Sequence, residues 1–194
     1  MNLTTFFVSE LSEHLKVAEA VRGNLSGPFV SLTETCVSSL RDGGKILFFG
    51  NGGSASDAQH LATELTVRYI KDRPAIAAIA LTTDGSALTA TGNDLGFDKL
   101  FSRQIEALGR PGDVAIGIST SGRSPNVIEG LKMAREKGLV AAGLTGRTGG
   151  DMAGLADPLV KVPHDAAARI QEMHITIGHA LCGAIEIQLG LAEA

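Results

Sequence analysis

The residues best placed to do chemistry begin directly after a short apolar segment, residues 46–49. That segment ends in the turn 50–53, Gly-Asn-Gly-Gly, which holds only small residues or residues that tolerate positive φ. Ser54 follows as the predicted N-cap of a helix, and Asp57 favours the first helical turn. A buried strand, a glycine turn and a helix N-terminus in that order are typical of a site for an anionic group.

Two predicted helices carry polar side chains that could act together. His60 and Glu64 are four residues apart, so they project from one face of the helix after the glycine turn. Gln171 and His179 lie eight residues apart, a little over two turns, on a helix near the end of the chain. Two histidines, a glutamate and an amide oxygen could bind one divalent ion, or Glu64 and His179 could serve as base and acid. His174, on the same helix, is interpreted as a packed core histidine.

A second polar turn follows the apolar segment 114–118 and is rich in hydroxyl groups. It reads Ser119-Thr120-Ser121-Gly122-Arg123-Ser124, and Pro125 then suits the first turn of a helix. A run of hydroxyls directly after a buried strand has little packing purpose, so it predicts a phosphate site. The glycine turn alone could be merely structural. No GxGxxG or GxxxxGK[ST] pattern occurs, and no nucleotide cofactor is expected.

The elements that must position these residues alternate between apolar strands and amphipathic helices. Strands are predicted at 46–49, 75–81, 114–118, 139–144 and 158–162. Helices are predicted at 2–24, 29–41, 97–108, 125–137 and 167–191. Another helix is predicted to begin at Ser54, and a separate helical segment after Gly85 is predicted to end at about Thr91. A turn is predicted at Gly92, Asn93 and Asp94. This alternation predicts a parallel sheet covered on both faces, with ligands beyond the carboxyl ends of the strands. The N-terminal helical pair has no obvious sheet partner, so we expect it to pack against other copies of the chain.

Composition excludes several classes of function. The 194 residues carry a formal net charge of −4, which gives no basic footprint for nucleic acid. Trp is absent and one Tyr is present, so base-stacking platforms are not expected. No apolar segment is long enough for a membrane span, and the N-terminus lacks a signal-peptide pattern. Cys36 and Cys182 are predicted to be reduced core residues, and the protein is expected in the cytoplasm.

Four motifs together resemble a known family: FFGNGGSASDAQHLATEL, TATGND with FSRQIEALG, ISTSGRSPNV, and RIQEMH with a later histidine. They are similar to the SIS (sugar isomerase) domain and, more narrowly, to the phosphoheptose isomerase family, across nearly the whole chain. The resemblance implies one SIS domain over 1–194, a three-layer α/β/α flavodoxin-like sandwich with a five-stranded parallel sheet after an N-terminal helical pair. It also implies a homotetramer with active sites at subunit interfaces, with residues 1–43 used in oligomer packing.

The resemblance also implies an activity and a set of site residues. The family interconverts D-sedoheptulose 7-phosphate and D-glycero-D-manno-heptose 7-phosphate, the entry to heptose for lipopolysaccharide or other surface glycans. Glu64 matches the catalytic base and His179 the acid, and zinc ligands match His60, Glu64, Gln171 and His179. The expected substrate contacts are Asn51, Gly52, Gly53, Ser54, Glu64, Asn93, Asp94, Ser119, Thr120, Ser121, Ser124 and Gln171.

One departure from the family and three alternatives stand beside this interpretation. Many members have an aspartate before the Arg-Ile-Gln run, where this chain has Ala168 after a shorter loop containing Asp165. Asp165 is left outside the expected site. A related non-catalytic tetramer that binds a replication initiator is one alternative, although it is expected to lack the acid–base pair. A sugar-phosphate-sensing module and an isomerase of another sugar, such as a pentose phosphate, are the others.

Overall fold

A computed structural model describes residues 2–193 of the chain. Seven α-helices and five β-strands alternate within this range. The helices are α1 (Leu3–Asn24), α2 (Ser26–Arg41), α3 (Gly53–Thr66), α4 (Gly85–Asp94), α5 (Leu100–Leu108), α6 (Pro125–Glu136) and α7 (Ala167–Gln188). The strands are β1 (Ile46–Gly50), β2 (Ala78–Ala80), β3 (Val114–Ser119), β4 (Val140–Gly146) and β5 (Leu159–Val162). Short 3₁₀ turns occupy Phe97–Lys99 and Gly150–Met152.

The five strands form one parallel sheet in the order β2-β1-β3-β4-β5. Strand β1 lies inside the sheet and pairs Phe48 with Ala80 of β2 on one side and with Ile116 of β3 on the other. Strand β2 therefore lies on one side of β1, and β3, β4 and β5 follow in order on the other side. In doubly wound sheets, ligands bind at the carboxyl ends of the strands where the order reverses. The turns after β1 and β3 both lie at this switch point.

Alternate side chains of the strands pack against helices on opposite faces of the sheet. On one face, Ile46, Phe48 and Ile116 join buried residues of α2, α3 and α7. On the other face, Leu47 and Phe49 join buried residues of α5 and α6. All five residues of β1 are buried, as expected of a strand covered on both faces. The three-layer α/β/α architecture predicted from the sequence is confirmed.

The two N-terminal helices differ in how they pack. Helix α2 buries Leu32, Cys36 and Val37 in the core against the sheet, so the expectation that it lacks a sheet partner was wrong. Helix α1 buries only Val17 and leaves a row of large apolar side chains exposed. These exposed residues are Leu3, Phe6, Phe7, Val8, Leu11 and Leu15. Cys36 and Cys182 are both free thiols in the core, as predicted.

Two predicted element boundaries need correction. Strand β2 spans only Ala78–Ala80 at an edge of the sheet, rather than residues 75–81. Helix α4 continues to Asp94 because its backbone hydrogen bonding extends to Leu95, which donates to Thr91 at 2.9 Å; the predicted turn at 92–94 is helical. Within residues 2–193, no helix combines the length and the apolar character needed to cross a membrane.

Candidate active site

The turn after β1 opens helix α3 without a side-chain cap. Gly52 is the N-cap residue and has φ +56°, a region that favours glycine. Ser54 lies inside the first helical turn, with its backbone N–H donating to the carbonyl of Asn51 at 3.0 Å, so its predicted N-cap role was wrong. A Cβ atom on Gly53 would lie 2.8 Å from Nε2 of Gln171, so the two are in contact. The turn therefore exposes backbone N–H groups beside the Gln171 amide.

Asn51 joins this turn to the hydroxyl-rich turn after β3. Its Nδ2 donates to Oδ1 of Asn126, and Nδ2 of Asn126 donates back to Oδ1 of Asn51, both at 2.8 Å. Asn126 is buried in the first turn of α6. The reciprocal amide pair fixes the distance between the two turns, and Asn126 was not anticipated from the sequence. The signal was present in the Ser-Pro-Asn run that begins α6.

The turn after β3 brings three serine hydroxyls together at the N-terminus of α6. Oγ of Ser119 lies 3.1 Å from Oγ of Ser124 and 3.5 Å from Oγ of Ser121. Gly122 has φ +65° and packs so tightly that a Cβ atom would overlap the carbonyl of Gly149. The hydroxyls and the free N–H groups of a helix N-terminus form a cradle suited to a phosphate group. Thr120, half-buried, fixes the strand end by accepting from the N–H of Gly146.

Helices α3 and α7 cross closely because Gly178 has no side chain. A Cβ atom at Gly178 would lie 2.6 Å from both Cδ atoms of Leu61, which is fully buried. This close approach lets the residue after Gly178, His179, reach the residue before Leu61, His60. The crossing therefore brings polar side chains of α3 and α7, which are far apart in the sequence, into one cluster.

His60, Glu64 and His179 form that cluster, which we call the α3–α7 triad. Nε2 of His60 lies 2.8 Å from Nε2 of His179 and 3.2 Å from Oε1 of Glu64. One ligand atom from each residue lies within 4.8 Å of the others. The Glu64 side chain is 17% exposed and that of His60 is 48% exposed, so the triad is open to a ligand on one side. Tyr69 covers another side, with its ring stacked on His179 at 5.7 Å and 21°.

The triad fits a divalent transition metal by the chemistry of its donors. Two imidazole nitrogens and a carboxylate are the ligands that Zn²⁺ takes in catalytic sites. At 2.8 Å, one ring N–H donates to the lone pair of the other ring, so the rings are already oriented toward a common point. Gln171, the fourth expected ligand, lies at the glycine turn against Gly53. The structure describes no hydrogen bond from it to the triad within residues 2–193.

Burial perturbs several groups that flank the triad. Burial raises the pKa of the Asp57 carboxyl, an effect that nearby His60 opposes, and its Oδ2 has no partner among the described residues. Burial raises the pKa of Cys182 to about 12, and the charge of Glu64 adds to that effect. Burial lowers the pKa of His174 to about 4, and its Nε2 lies 3.2 Å from the carbonyl of Thr145. His174 is therefore a neutral core histidine, as interpreted from the sequence.

Asn93 and Asp94 are not brought to the triad. They end α4, are exposed, and bond to each other, with Nδ2 of Asn93 donating to Oδ1 of Asp94 at 2.7 Å. In the part of the chain that the structure describes, no hydrogen bond links them to α3 or α7. Asp165 lies 3.4 Å from Arg147, the residue after β4, and its side chain is 73% exposed.

Comparison with known proteins adds independent information. Residues 11–146 match the model of the SIS domain. The chain is 60% identical over 186 residues to a phosphoheptose isomerase of Paramagnetospirillum magneticum, covering 96% of this chain and 97% of the relative. It superposes on the phosphoheptose isomerase GmhA from Neisseria gonorrhoeae with a TM-score of 0.90 and 47% identity, covering 96% of this chain and 100% of the other. A phosphoheptose isomerase from Francisella tularensis gives a TM-score of 0.93 at 33% identity, with the same coverage.

Proposed function

The chain belongs to the phosphoheptose isomerases of the SIS-domain family, and we propose that it interconverts D-sedoheptulose 7-phosphate and D-glycero-D-manno-heptose 7-phosphate. The reaction is an aldose–ketose isomerisation, in which a proton moves between C1 and C2 through an enediol(ate). It needs a base, an acid that reaches the sugar oxygens, and a grip on the distant phosphate. The convergence of Glu64 and His179 beside two anion-binding turns carries this proposal.

The phosphate end of the sugar binds the hydroxyls of Ser119, Thr120, Ser121 and Ser124. Ser119, Ser121 and Ser124 already face one another within 3.5 Å, so they need little rearrangement to surround phosphate oxygens. Backbone N–H groups at the start of α6 add favourable dipoles for the phosphate charge. Holding the far end of the sugar this way makes the proton transfer effectively intramolecular.

The reacting end of the sugar lies at the α3–α7 triad. Glu64 removes the proton from C1 or C2 and returns it to the neighbouring carbon, and His179 exchanges a proton with the sugar oxygens. Glu64 suits the role of base because, among residues 2–193, its carboxylate has only His60 as a partner, at 3.2 Å, and keeps free lone pairs. Asn51, Gly52, Gly53, Ser54 and Gln171 contact the sugar between the two ends.

Zinc is the second component of this proposal. His60, Glu64 and His179 would hold Zn²⁺ with Gln171 as a fourth ligand, and the ion would supply Lewis-acid polarisation of the carbonyl and hydroxyl oxygens. Elemental analysis of purified protein should give one zinc per subunit. Chelation should lower activity, and added Zn²⁺ should restore it. Full activity in a demonstrably metal-free preparation would remove zinc from the mechanism.

We further propose a homotetramer in which each active site lies between subunits. Two features support it: the exposed apolar face of α1, and the position of Asn93 and Asp94, which are remote from the triad of their own chain. In this arrangement, residues 1–43 pack against other subunits and Asn93 and Asp94 reach the sugar of a neighbour. Light scattering after gel filtration should give four times the mass of the 20.1 kDa chain. A stable monomer would contradict the assembly.

A mixed assembly tests the shared site directly. Glu64→Gln and Asp94→Ala subunits should each be inactive alone. When they are co-expressed with different tags and purified through both tags, some sites combine two intact halves, so activity should return. Absence of recovery in verified mixed tetramers would place Asp94 outside the neighbouring site.

The expected setting is the first step of heptose synthesis for lipopolysaccharide or other surface glycans. We place it in the cytoplasm, where the buried thiols Cys36 and Cys182 remain reduced. The replication-initiator-binding alternative is not favoured, since both members of the acid–base pair are present and close together.

The deciding experiment is incubation of the protein with sedoheptulose 7-phosphate. NMR spectroscopy should detect the aldose 7-phosphate accumulating to the same equilibrium from either sugar. Ribulose 5-phosphate serves as the control for the pentose phosphate alternative and should react far more slowly. If ribulose 5-phosphate reacted faster than sedoheptulose 7-phosphate, the protein would be a pentose phosphate isomerase instead.

A further inference from the structure

A buried ion pair joins the end of α3 to the last turns of α7. Nε of Arg73 donates to Oε1 of Glu186 at 2.8 Å, and the two side chains are only 1% and 2% exposed. Both charges lose their hydration when they are buried, so such a pair contributes little net stability compared with apolar side chains of similar size. The ion pair also contacts residues that support Glu64 and His179 of the triad.

Arg73 holds the backbone of Glu64. Its Nη2 donates to the carbonyl oxygen of Glu64 at 2.7 Å, and Nη1 donates to that of Leu65 at 2.6 Å. Both carbonyls belong to the last turn of α3, where no further helical N–H is available to them. A cation placed there also opposes the negative end of the helix dipole. The guanidinium therefore fixes the peptide that carries the proposed base.

Glu186 holds the residue that covers His179. The backbone N–H of Tyr69 donates to Oε1 of Glu186 at 3.2 Å. The Tyr69 ring then stacks on the His179 imidazole, and it also lies 3.2 Å from the place where a Cβ atom of Gly183 would be. Because Glu186 is seven residues after His179, the two lie on the same face of α7, about two turns apart. The ring limits the directions in which the imidazole can turn.

We propose that Arg73 and Glu186 are positioning residues for the acid–base pair: Arg73 places Glu64 through its peptide carbonyl, and Glu186 places His179 through Tyr69. This inference rests on the proposed function of Glu64 and His179. It requires the several N–H donors of a planar guanidinium, since one ammonium group cannot reach the carboxylate and the two carbonyls in the same directions.

The chain offers a matched control in a second buried ion pair. Lys45 and Asp113, directly before β1 and β3, form this pair with side chains 20% and 3% exposed and a separation of 2.5 Å. If Arg73 and Glu186 only stabilise the fold, weakening either pair should have similar consequences for catalysis. If they position the triad, only the first pair should affect turnover.

The experiment compares Arg73→Lys, the double variant Arg73→Met/Glu186→Leu, and Asp113→Asn by steady-state kinetics at a temperature where all are folded. The double variant should lose about tenfold to a hundredfold in kcat with KM nearly unchanged, because misplacement of reacting groups by about 1 Å has effects of this size. Arg73→Lys keeps the positive charge, and its kcat should still fall nearly as far as that of the double variant. Asp113→Asn should keep wild-type kcat.

Imidazole NMR supplies a readout independent of turnover. Wild-type protein and Asp113→Asn should show the same ring-nitrogen signals for His60 and His179, and the double variant should show them shifted or broadened. Wild-type kcat and wild-type ring signals in Arg73→Lys and the double variant would overturn the inference, as would equal losses in Asp113→Asn. Arg73→Lys decides the matter if the double variant does not fold. Failure of the wild-type protein to isomerise the sugar would instead refute the proposed function, and the ring signals would still decide whether the pair positions the triad.

Discussion

The polar groups at the amino ends of β1 and β3 have more hydrogen-bond partners than those of the proposed active site. The Asp113 carboxylate accepts from the backbone N–H groups of Lys45 and Arg110 and from the Lys45 ammonium group, at 2.5 to 2.9 Å. The hydroxyl of Ser39 likewise donates to the carbonyl of Gly112 at 2.6 Å. Except for the local contact from Arg110, these contacts join one chain segment to another, which is the behaviour of groups that hold a fold together.

The polar groups of the proposed active site have fewer partners. Glu64 has a single histidine neighbour and Oδ2 of Asp57 has no partner among residues 2–193, and the serines after β3 bond chiefly to one another. Buried groups without partners cost stability, so we infer a ligand-binding role for this region. We therefore expect the same residue types to stabilise the fold in the first region and to act on a ligand in the second. The following predictions test that division.

The largest effect should come from removing the acid or the base. Glu64→Gln and His179→Gln should each lower kcat by about 10²- to 10⁴-fold, the usual contribution of general acid–base catalysis, with KM changed little. Thermal unfolding should stay within a few degrees of wild type, because each substitution keeps a polar side chain of similar size. Asp113→Asn should show the reverse, lower stability with normal kcat. Wild-type turnover in Glu64→Gln would contradict the division between stabilising and catalytic groups.

The next effect should come from separating α3 and α7. Gly178→Ala places a methyl group 2.6 Å from the Leu61 side chain, so the helices must move apart, at a cost of about 1 to 3 kcal/mol of stability. Turnover should fall about tenfold as His179 leaves His60 and Glu64. Adding Leu61→Ala should restore part of the turnover. Asp113→Asn, whose carboxylate pairs with Lys45 before β1, is the control and should leave turnover unchanged.

A smaller effect should come from the phosphate cradle. Ser124→Ala should raise KM for sedoheptulose 7-phosphate about tenfold and leave kcat nearly unchanged, as one hydrogen bond to a charged group is lost. With unphosphorylated sedoheptulose as substrate, the same variant should match wild type. An equal loss with both sugars would mean that Ser124 shapes the site without contacting phosphate.

The smallest effect at neutral pH should come from His174, which packs beneath the site without entering it. Its folded pKa of about 4 lies below the ordinary value of 6.5, so the unfolded chain binds more protons between these pH values. Stability should therefore fall as the pH falls through this window, by about 2 kcal/mol between pH 7 and pH 5. Urea unfolding at both pH values should show a shallower loss in His174→Leu than in wild type. Equal slopes would show that His174 is already accessible to protons.

Local sequence patterns predicted most of the fold and the two anion-binding turns. The buried run at 46–49 and the glycines after it predicted a strand buried on both faces and a sharp turn, and the four-residue spacing of His60 and Glu64 placed both on one helix face. Local patterns failed where two signals competed. Ser54 resembles an N-cap, yet Gly52 can adopt positive φ and starts the helix earlier.

Contacts between distant segments could not be predicted from the sequence. Arg73 and Glu186 are 113 residues apart, and Asn51 and Asn126 are 75 residues apart. The pattern of apolar and polar residues within one helix or strand does not predict such a contact. The stacking of Tyr69 on His179 depends on how the loop after α3 returns to α7. Which neighbours Asn93 and Asp94 meet depends on assembly, so their membership of the site and the zinc ligand set stay predictions.

Solvent deuterium exchange tests whether Glu64 transfers the proton between C1 and C2. In D₂O, the wild-type protein should introduce deuterium at C1 or C2 of the sugar 7-phosphate, as detected by NMR, because a carboxylate base that exchanges with solvent carries the proton. Glu64→Gln should bind the sugar and introduce none. Isomerisation without any deuterium uptake in the wild type, or undiminished uptake in Glu64→Gln, would contradict an enediolate mechanism based on Glu64.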